Sequence, residues 1–138
     1  MIPAIVVDDV RADRYVARRR LSKSRAFAPI IEYDQGSTFL EAWSTPQNRA
    51  RIVAADTPCL LLMDINMPGM SGFETLEELQ SRCDVGPSGQ CPFIAMMFTS
   101  SDNPIDRERA AALPMVRDYI VKPLDDRAVL GIVALMSG

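Results

Sequence analysis

The sequence predicts an α/β fold in which five strands alternate with five helices to give a doubly wound parallel sheet. Three observations predict it. The apolar runs that read as strands are continuous rather than alternating, as strands buried on both faces are. The segments between them carry helical spacing and turn residues. Four of the runs also stop abruptly at polar residues: Asp8 and Asp9, Asp64, Thr99 and Ser100, and Lys122 with Pro123.

Taken in order, residues 4–7 are a short buried strand. A helix over 11–23 follows, with Val10, Ala17 and Leu21 spaced for one face. Residues 30–33 are a second, weaker strand. Residues 37–51 read as one helix, with Ser37 or Gly36 near its cap and Phe39, Leu40 and Trp43 on its apolar side. The third strand, 60–63, comes after Thr57 and Pro58, and a Pro/Gly loop over 67–71 leads into a helix over 72–82. The fourth strand is 93–98. In the helix over 103–113, Pro104 suits the first turn and Pro114 follows the end. Residues 117–121 are the fifth strand and 125–136 the last helix. No repeat or second domain is visible, so the expectation is one domain over 1–138 with no output domain in this chain.

At 138 residues such a domain buries a full core without staples. A net charge of −3 argues against nucleic acid held by charge alone. The apolar runs are far shorter than the roughly 18–20 residues of a membrane span, and the N-terminus enters a strand without a signal peptide. A cytoplasmic protein with no membrane partner is expected. The three cysteines are an odd count, which favours reduced thiols. Cys59 reads as an inert core thiol. Cys83 and Cys91 flank a Gly/Pro/Ser segment where a disulfide is the alternative. The absence of histidine argues against a conventional zinc cluster and excludes both a histidine base and a phosphohistidine on this chain.

In open parallel sheets, ligands bind beyond the carboxyl ends of the strands. The four stops therefore describe one site with three carboxylates, a hydroxyl and an amine. Asp8 and Asp9 have two readings: helix caps, or ligands to a cation that relieves their repulsion of Asp64. An oxygen-rich site with room for water suits Mg²⁺ better than a soft metal. Lys122 reads as a counter-ion or as a group that neutralises an incoming anion, to which Thr99 can donate. Together these match phosphoryl transfer, with Asp64 as nucleophile.

Four motifs carry a resemblance. They are Val-Asp-Asp at 7–9, Met-Asp-Ile-Asn-Met-Pro-Gly-Met-Ser-Gly at 63–72, Thr-Ser at 99–100 and Asp-Tyr-Ile-Val-Lys-Pro-Leu at 118–124. In order and spacing the chain resembles a response-regulator receiver domain, the phosphoacceptor module of two-component signalling, from about residue 5 to about residue 135. The resemblance implies a flavodoxin-like sheet of order 2-1-3-4-5, for which receivers are a standing example. It implies that Asp64 accepts a phosphoryl group from a sensor histidine kinase or a histidine phosphotransfer protein. Asp8, Asp9, Asp64 and the backbone carbonyl of Asn66 would hold Mg²⁺ (or Mn²⁺). Thr99 and Lys122 would contact phosphoryl oxygens, across a cis Lys122–Pro123 bond, and Ser100 would leave the pocket open.

By the same resemblance, Tyr119 occupies an aromatic switch position that turns inward with Thr99; its other reading is a surface strand residue. Asn66 and Ser101 match positions that tune aspartyl-phosphate lifetime, implying self-dephosphorylation at an unremarkable rate. The helix over 103–113, the fifth strand and the last helix would form the output surface, with Asp106, Arg107, Arg117 and Asp118, for a downstream protein target or a self-dimer. The stretch 93–99 is slightly longer than the family's commonest form and 84–92 reads as a longer loop, which leaves the register beside Thr99 open by a residue or two. Arg14, Arg18, Arg19, Arg20 and Lys23 make the first helix basic on one side, either a solvated face or a dock for an acidic kinase patch.

Two rivals remain. A phosphohydrolase with an aspartate nucleophile usually needs a second acid two residues on, where this chain has Asn66. A degenerate receiver acting as a phosphorylation-independent scaffold would not need the intact set Asp8, Asp9, Asp64, Thr99 and Lys122. The expectation is a signalling switch rather than an enzyme acting on a small molecule.

Overall fold

A computed structural model describes residues 1–52, 57–84 and 92–137. The elements run β1 (Ile2–Val7), α1 (Arg11–Lys23), β2 (Phe27–Tyr33), α2 (Gly36–Trp43), α3 (Pro46–Ile52), β3 (Cys59–Met63), α4 (Gly72–Asp84), β4 (Phe93–Thr99), α5 (Pro104–Ala111), β5 (Val116–Val121) and α6 (Asp126–Ser137). The strands pair in parallel in the order β2-β1-β3-β4-β5, as expected.

Alternation along each strand divides the core between the two faces. Ile5, Val7, Leu61, Met63, Ala95 and Met97 pack with Phe39, Phe73, Leu76 and Ala110 from α2, α4 and α5. Ala4, Val6, Leu60, Leu62, Met96 and Phe98 pack with Ala17, Leu21, Val129 and Ile132 from α1 and α6. Both faces of the inner strands are thus covered by apolar helix faces, which is why β3 is buried at every position.

The structure differs from the sequence reading at the second helix. Pro46 divides it in two, so six helices, not five, flank the sheet among the described residues. Proline lacks an N–H, and its ring would strike the carbonyl four residues back. The Ala42 carbonyl instead accepts the Thr45 hydroxyl at 2.9 Å, and α3 begins anew with the Arg49 N–H donating to Thr45. Gly36 serves packing rather than capping: a Cβ there would lie 1.9 Å from Thr75 Oγ1 on α4.

β2 also begins earlier than read, at Phe27, with a register shift opposite Ile2 to Ala4. Pro29 sits at that shift, in an edge strand where a missing donor is tolerated, and its peptide bond with Ala28 is cis. β4 pairs with β3 residue for residue from Cys59–Phe93 to Met63–Met97, which fixes the register beside Thr99. The longer loop expected over 84–92 falls largely outside the described residues.

Cys59 is buried and free, and burial pushes its thiol far above the usual range, as an inert core thiol requires. Cys83 corrects the expectation of reduced thiols, because it is disulfide-bonded. An odd count leaves one thiol over but does not prevent the others from pairing. Cys91 lies outside the described residues.

Candidate functional site

Strand register brings the polar residues together. Val7 and Met63 are register partners, so Asp8 and Asp64 emerge side by side at the carboxyl edge of the two central strands. Both are buried, while Asp9 is exposed. The ladder runs on through them: the Asp64 N–H donates to Val7 O at 2.9 Å and the Asp8 N–H to Tyr33 O at 3.0 Å. Asp8, Asp64 and Lys122 continue the even-numbered parity of the face that α1 and α6 cover. Thr99 and Tyr119 have the parity of the other face, and Tyr119 packs on that side's core.

Lys122 reaches the acids from β5, its backbone N–H held by Thr99 O at 2.8 Å and its bond to Pro123 cis, as expected. Its Nζ lies 2.6 Å from Asp8 Oδ2, 2.8 Å from Asp13 Oδ2 and 3.6 Å from Asp64 Oδ1. Burial pulls this ammonium's pKa down. The hydrogen bond to Asp13, the close approach of Asp8 and the charge of Asp64 outweigh that, and it titrates above the usual lysine range.

Asp64 is pushed up to about 7, first by burial and then by the charge of Asp8; Lys122 and the Ile65 N–H on its Oδ1 only partly oppose this. A carboxyl so placed ionises at a cost, and a nearby cation would lower that cost. The donor set fits a hard cation. Asp8, Asp9 and Asp64 each offer an oxygen within 4.8 Å of the others. Asp8 Oδ2 is buried and makes no hydrogen bond of good geometry, its approach to Lys122 being an ionic contact. Asn66 is exposed, two residues beyond Asp64.

The motif loop is braced tightly. A Cβ on Gly72 would lie 2.0 Å from the Asp64 carbonyl oxygen, so only glycine allows α4 to start there, and its N–H donates to Ile65 O at 2.8 Å. Ser71 and Glu74 form a capping box: Ser71 N–H to Glu74 Oε1 at 3.1 Å and Glu74 N–H to Ser71 Oγ at 3.2 Å. The bonds to Ser71 hold the Glu74 carboxyl below its usual range. The spacing Ser-x-x-Glu signals this box in the sequence.

Thr99 is fully buried, and its hydroxyl oxygen accepts the Ser101 N–H at 3.2 Å. Ser101 in turn accepts, on its carbonyl, the hydroxyl of Tyr119 at 2.7 Å. Tyr119 is therefore turned toward the loop after β4. Arg107 stacks on its ring at 4.5 Å and pairs with Asp102. Arg107, Arg117, Asp118 and Tyr119 line a cleft of about 320 Å³ beside α5 and β5.

Two functional neighbours escape the sequence reading. Asp13 of α1 is the partner of Lys122 described above. Arg14, counted there only among the basic residues of α1, donates to the Asp8 carbonyl at 2.7 Å and pairs with Glu32 of β2 at 3.3 Å, so it braces the turn that carries Asp8. Arg18 also pairs with Glu32, and Arg20 and Lys23 pair with Asp126 of α6. Much of the basic side of α1 is thus tied to neighbouring elements. Among the described residues no helix is long and apolar enough to cross a membrane.

Known proteins are similar to this chain in sequence and in fold. The family model of the response regulator receiver domain matches residues 4–134. The DNA-binding transcriptional regulator NtrC of Escherichia coli K12 is 30% identical over 125 residues, covering 90% of this chain and 22% of that protein. The Regulator of RpoS of the same strain is 28% identical over 109 residues, 70% of this chain and 30% of that protein. A two-component response regulator from Cytophaga hutchinsonii superposes with a TM-score of 0.82 at 20% identity, covering 99% of this chain and 97% of that one. TrrA of Thermotoga maritima, solved in complex with Mg²⁺-BeF, superposes with a TM-score of 0.69 at 20% identity, covering 99% of each chain. The chain thus spans less than a third of the curated relatives' length. With a 2-1-3-4-5 sheet, its acids gathered at the carboxyl edge and a family match over nearly every described residue, the chain belongs to the response regulator receiver domain family.

Proposed function

We propose that this chain is a phosphorylation-dependent switch of a two-component phosphorelay and that Asp64 is its phosphoacceptor. The observation that carries this reading is the meeting of Asp8, Asp9, Asp64 and Lys122 at one sheet edge, around a carboxylate oxygen of Asp8 that is buried without a hydrogen bond. In the transfer, an Asp64 carboxylate oxygen forms a bond to phosphorus. The phosphorus–nitrogen bond to a histidine on a sensor kinase or phosphotransfer protein breaks, and the imidazole leaves with the electron pair. Asp8, Asp9, Asp64 and the Asn66 carbonyl would hold Mg²⁺, which neutralises charge on the phosphoryl oxygens when bound. Lys122 and Thr99 supply further positive charge and a hydroxyl donor. Asn66 and Ser101 border the phosphoryl group and set its lifetime. The chemistry stays on this chain's own aspartate, so the domain signals rather than turning over a substrate.

Readout follows from Tyr119, whose hydroxyl is tied to Ser101 in the loop that follows Thr99 and which lines the cleft beside β5. The surface of α5, β5 and α6 is the proposed contact for a downstream protein or a second copy, in the cytoplasm. The test is acetyl phosphate with and without Mg²⁺, read by intact mass on wild type and Asp64→Asn. One Mg²⁺-dependent phosphoryl adduct on wild type alone supports the reading. No adduct on wild type, from acetyl phosphate or from a cognate kinase, would leave a scaffold that works without phosphorylation.

A further inference from the structure

Lys122 has three N–H donors and three carboxylates around it. Its Nζ lies 2.6 Å from Asp8 Oδ2, an ionic contact, and among the described residues its hydrogen bond of good geometry goes to Asp13 at 2.8 Å, while Asp64 Oδ1 stands off at 3.6 Å. Asp13 belongs to none of the four motifs. It comes from the first turn of α1, with 36% of its side chain exposed against 10% for Lys122, so it sits on the rim of the site above the ammonium. An acid in a first turn favours its own helix through the dipole, yet this one spends its carboxylate on a residue 109 positions away.

We propose that Asp13 is a positioning residue that draws Lys122 away from Asp64 and competes with a phosphoryl group there for the ammonium. The proposal rests on the phosphoacceptor reading above. A phosphoryl oxygen on Asp64 offers Lys122 a charged acceptor, but the ammonium reaches it fully only by loosening its bond to Asp13. The half-open pair is weak enough to give way and strong enough to set a cost. Asp13 thereby limits how firmly the phosphorylated state is held.

The test uses beryllofluoride with Mg²⁺ as a phosphoryl mimic, on the full chain and on Asp13→Ala. Titration calorimetry reads the affinity, and crystal structures of the metal-free proteins read the position of Lys122. Asp13→Ala is expected to bind the mimic about two- to fivefold more tightly, the range that a partly exposed ion pair supports. Its Lys122 Nζ is expected within hydrogen-bond distance of Asp64. Unchanged or weaker affinity overturns the proposal. So does tighter binding with the ammonium unmoved, since that is bare charge repulsion. A folded wild type that binds no mimic at all refutes the phosphoacceptor reading itself, and the proposal with it.

Discussion

Replacing Asp64 by Asn should stabilise the metal-free protein, and only above a definite pH. The Asp64 carboxyl rises from an ordinary 3.8 to about 7, mainly through burial and the charge of Asp8. Between those values the folded state binds a proton that the unfolded chain has released. Stability therefore falls as pH rises. The contribution is fully present below about 4 and is lost as pH passes through about 7. The gap is about three pH units, and at about 1.4 kcal/mol each it caps the loss near 4 kcal/mol. Asn keeps an oxygen for the Ile65 N–H, which now donates at 2.9 Å, but gives up the attraction of Lys122. An expected net gain is therefore about 2–4 kcal/mol at pH 8 and close to zero at pH 4. Urea denaturation in EDTA at pH 4, 5, 6, 7 and 8 measures it. Parallel stability curves for the two proteins across that range would show that Asp64 is not destabilised by its surroundings, and the cost assigned to its burial would be wrong.

Gly72→Ala should destabilise the fold by about 1–3 kcal/mol and slow phosphorylation from acetyl phosphate, because its Cβ would meet the Asp64 carbonyl at 2.0 Å. A melting temperature and phosphorylation rate like wild type's would contradict the close approach. Arg14→Ala should cost about 1–3 kcal/mol in urea denaturation, by stripping a charged donor from the Asp8 carbonyl and from Glu32; Arg14→Lys should recover little of it, since a point ammonium does not span both acceptors. Tyr119→Phe removes the 2.7 Å bond to Ser101 O and should cost about 1 kcal/mol. It should also raise hydrogen exchange in the loop after β4, and unchanged exchange there would show that the hydroxyl does not tether it.

The core of the site was legible in the sequence because a strand buried on both faces tolerates no charge. A carboxylate after Val7 or Met63 therefore marks where the buried run ends. β5 is an edge strand that itself carries Arg117 and Asp118, so Lys122 is marked instead by the end of the short apolar run 119–121. That places Asp8, Asp64 and Lys122 at one edge before any coordinate is known. Pro46 was equally legible as a break, but the apolar spacing of Phe39, Leu40 and Trp43 invites extending the helix through it. Asp13 and Arg14 were not legible as site residues. Both lie in a helix whose polar positions are mostly Arg, with Asp13 its single acid, and their partners, Lys122 and the Asp8 carbonyl, are fixed by how α1 packs on the sheet. Cys83 lies between these cases: its neighbourhood allows a disulfide, but pairing depends on geometry that spacing alone does not supply.

The parity of the strands also divides the polar residues at this edge between the two faces of the sheet. Lys122 answers to the acids on the face of α1 and α6, where charge is gathered. Thr99, one residue past that face's Phe98, belongs to the opposite side, as does Tyr119. The two sides meet where the Lys122 N–H donates to the Thr99 carbonyl at 2.8 Å. From there a short chain of contacts runs on along the Tyr119 side: the Thr99 hydroxyl accepts the Ser101 N–H, and the Ser101 carbonyl accepts the Tyr119 hydroxyl. Ser101 Oγ also donates to Asp106 of α5, and Arg107 of the same helix lies on the Tyr119 ring. A displacement of Thr99 toward Asp64 therefore has to carry Ser101 with it or break a 3.2 Å bond, and moving Ser101 strains its bonds to β5 and α5 together. On the proposed reading, charge added at Asp64 would in this way be converted into a change of shape at the cleft between Arg107 and Asp118, on the far side of the sheet from the lysine.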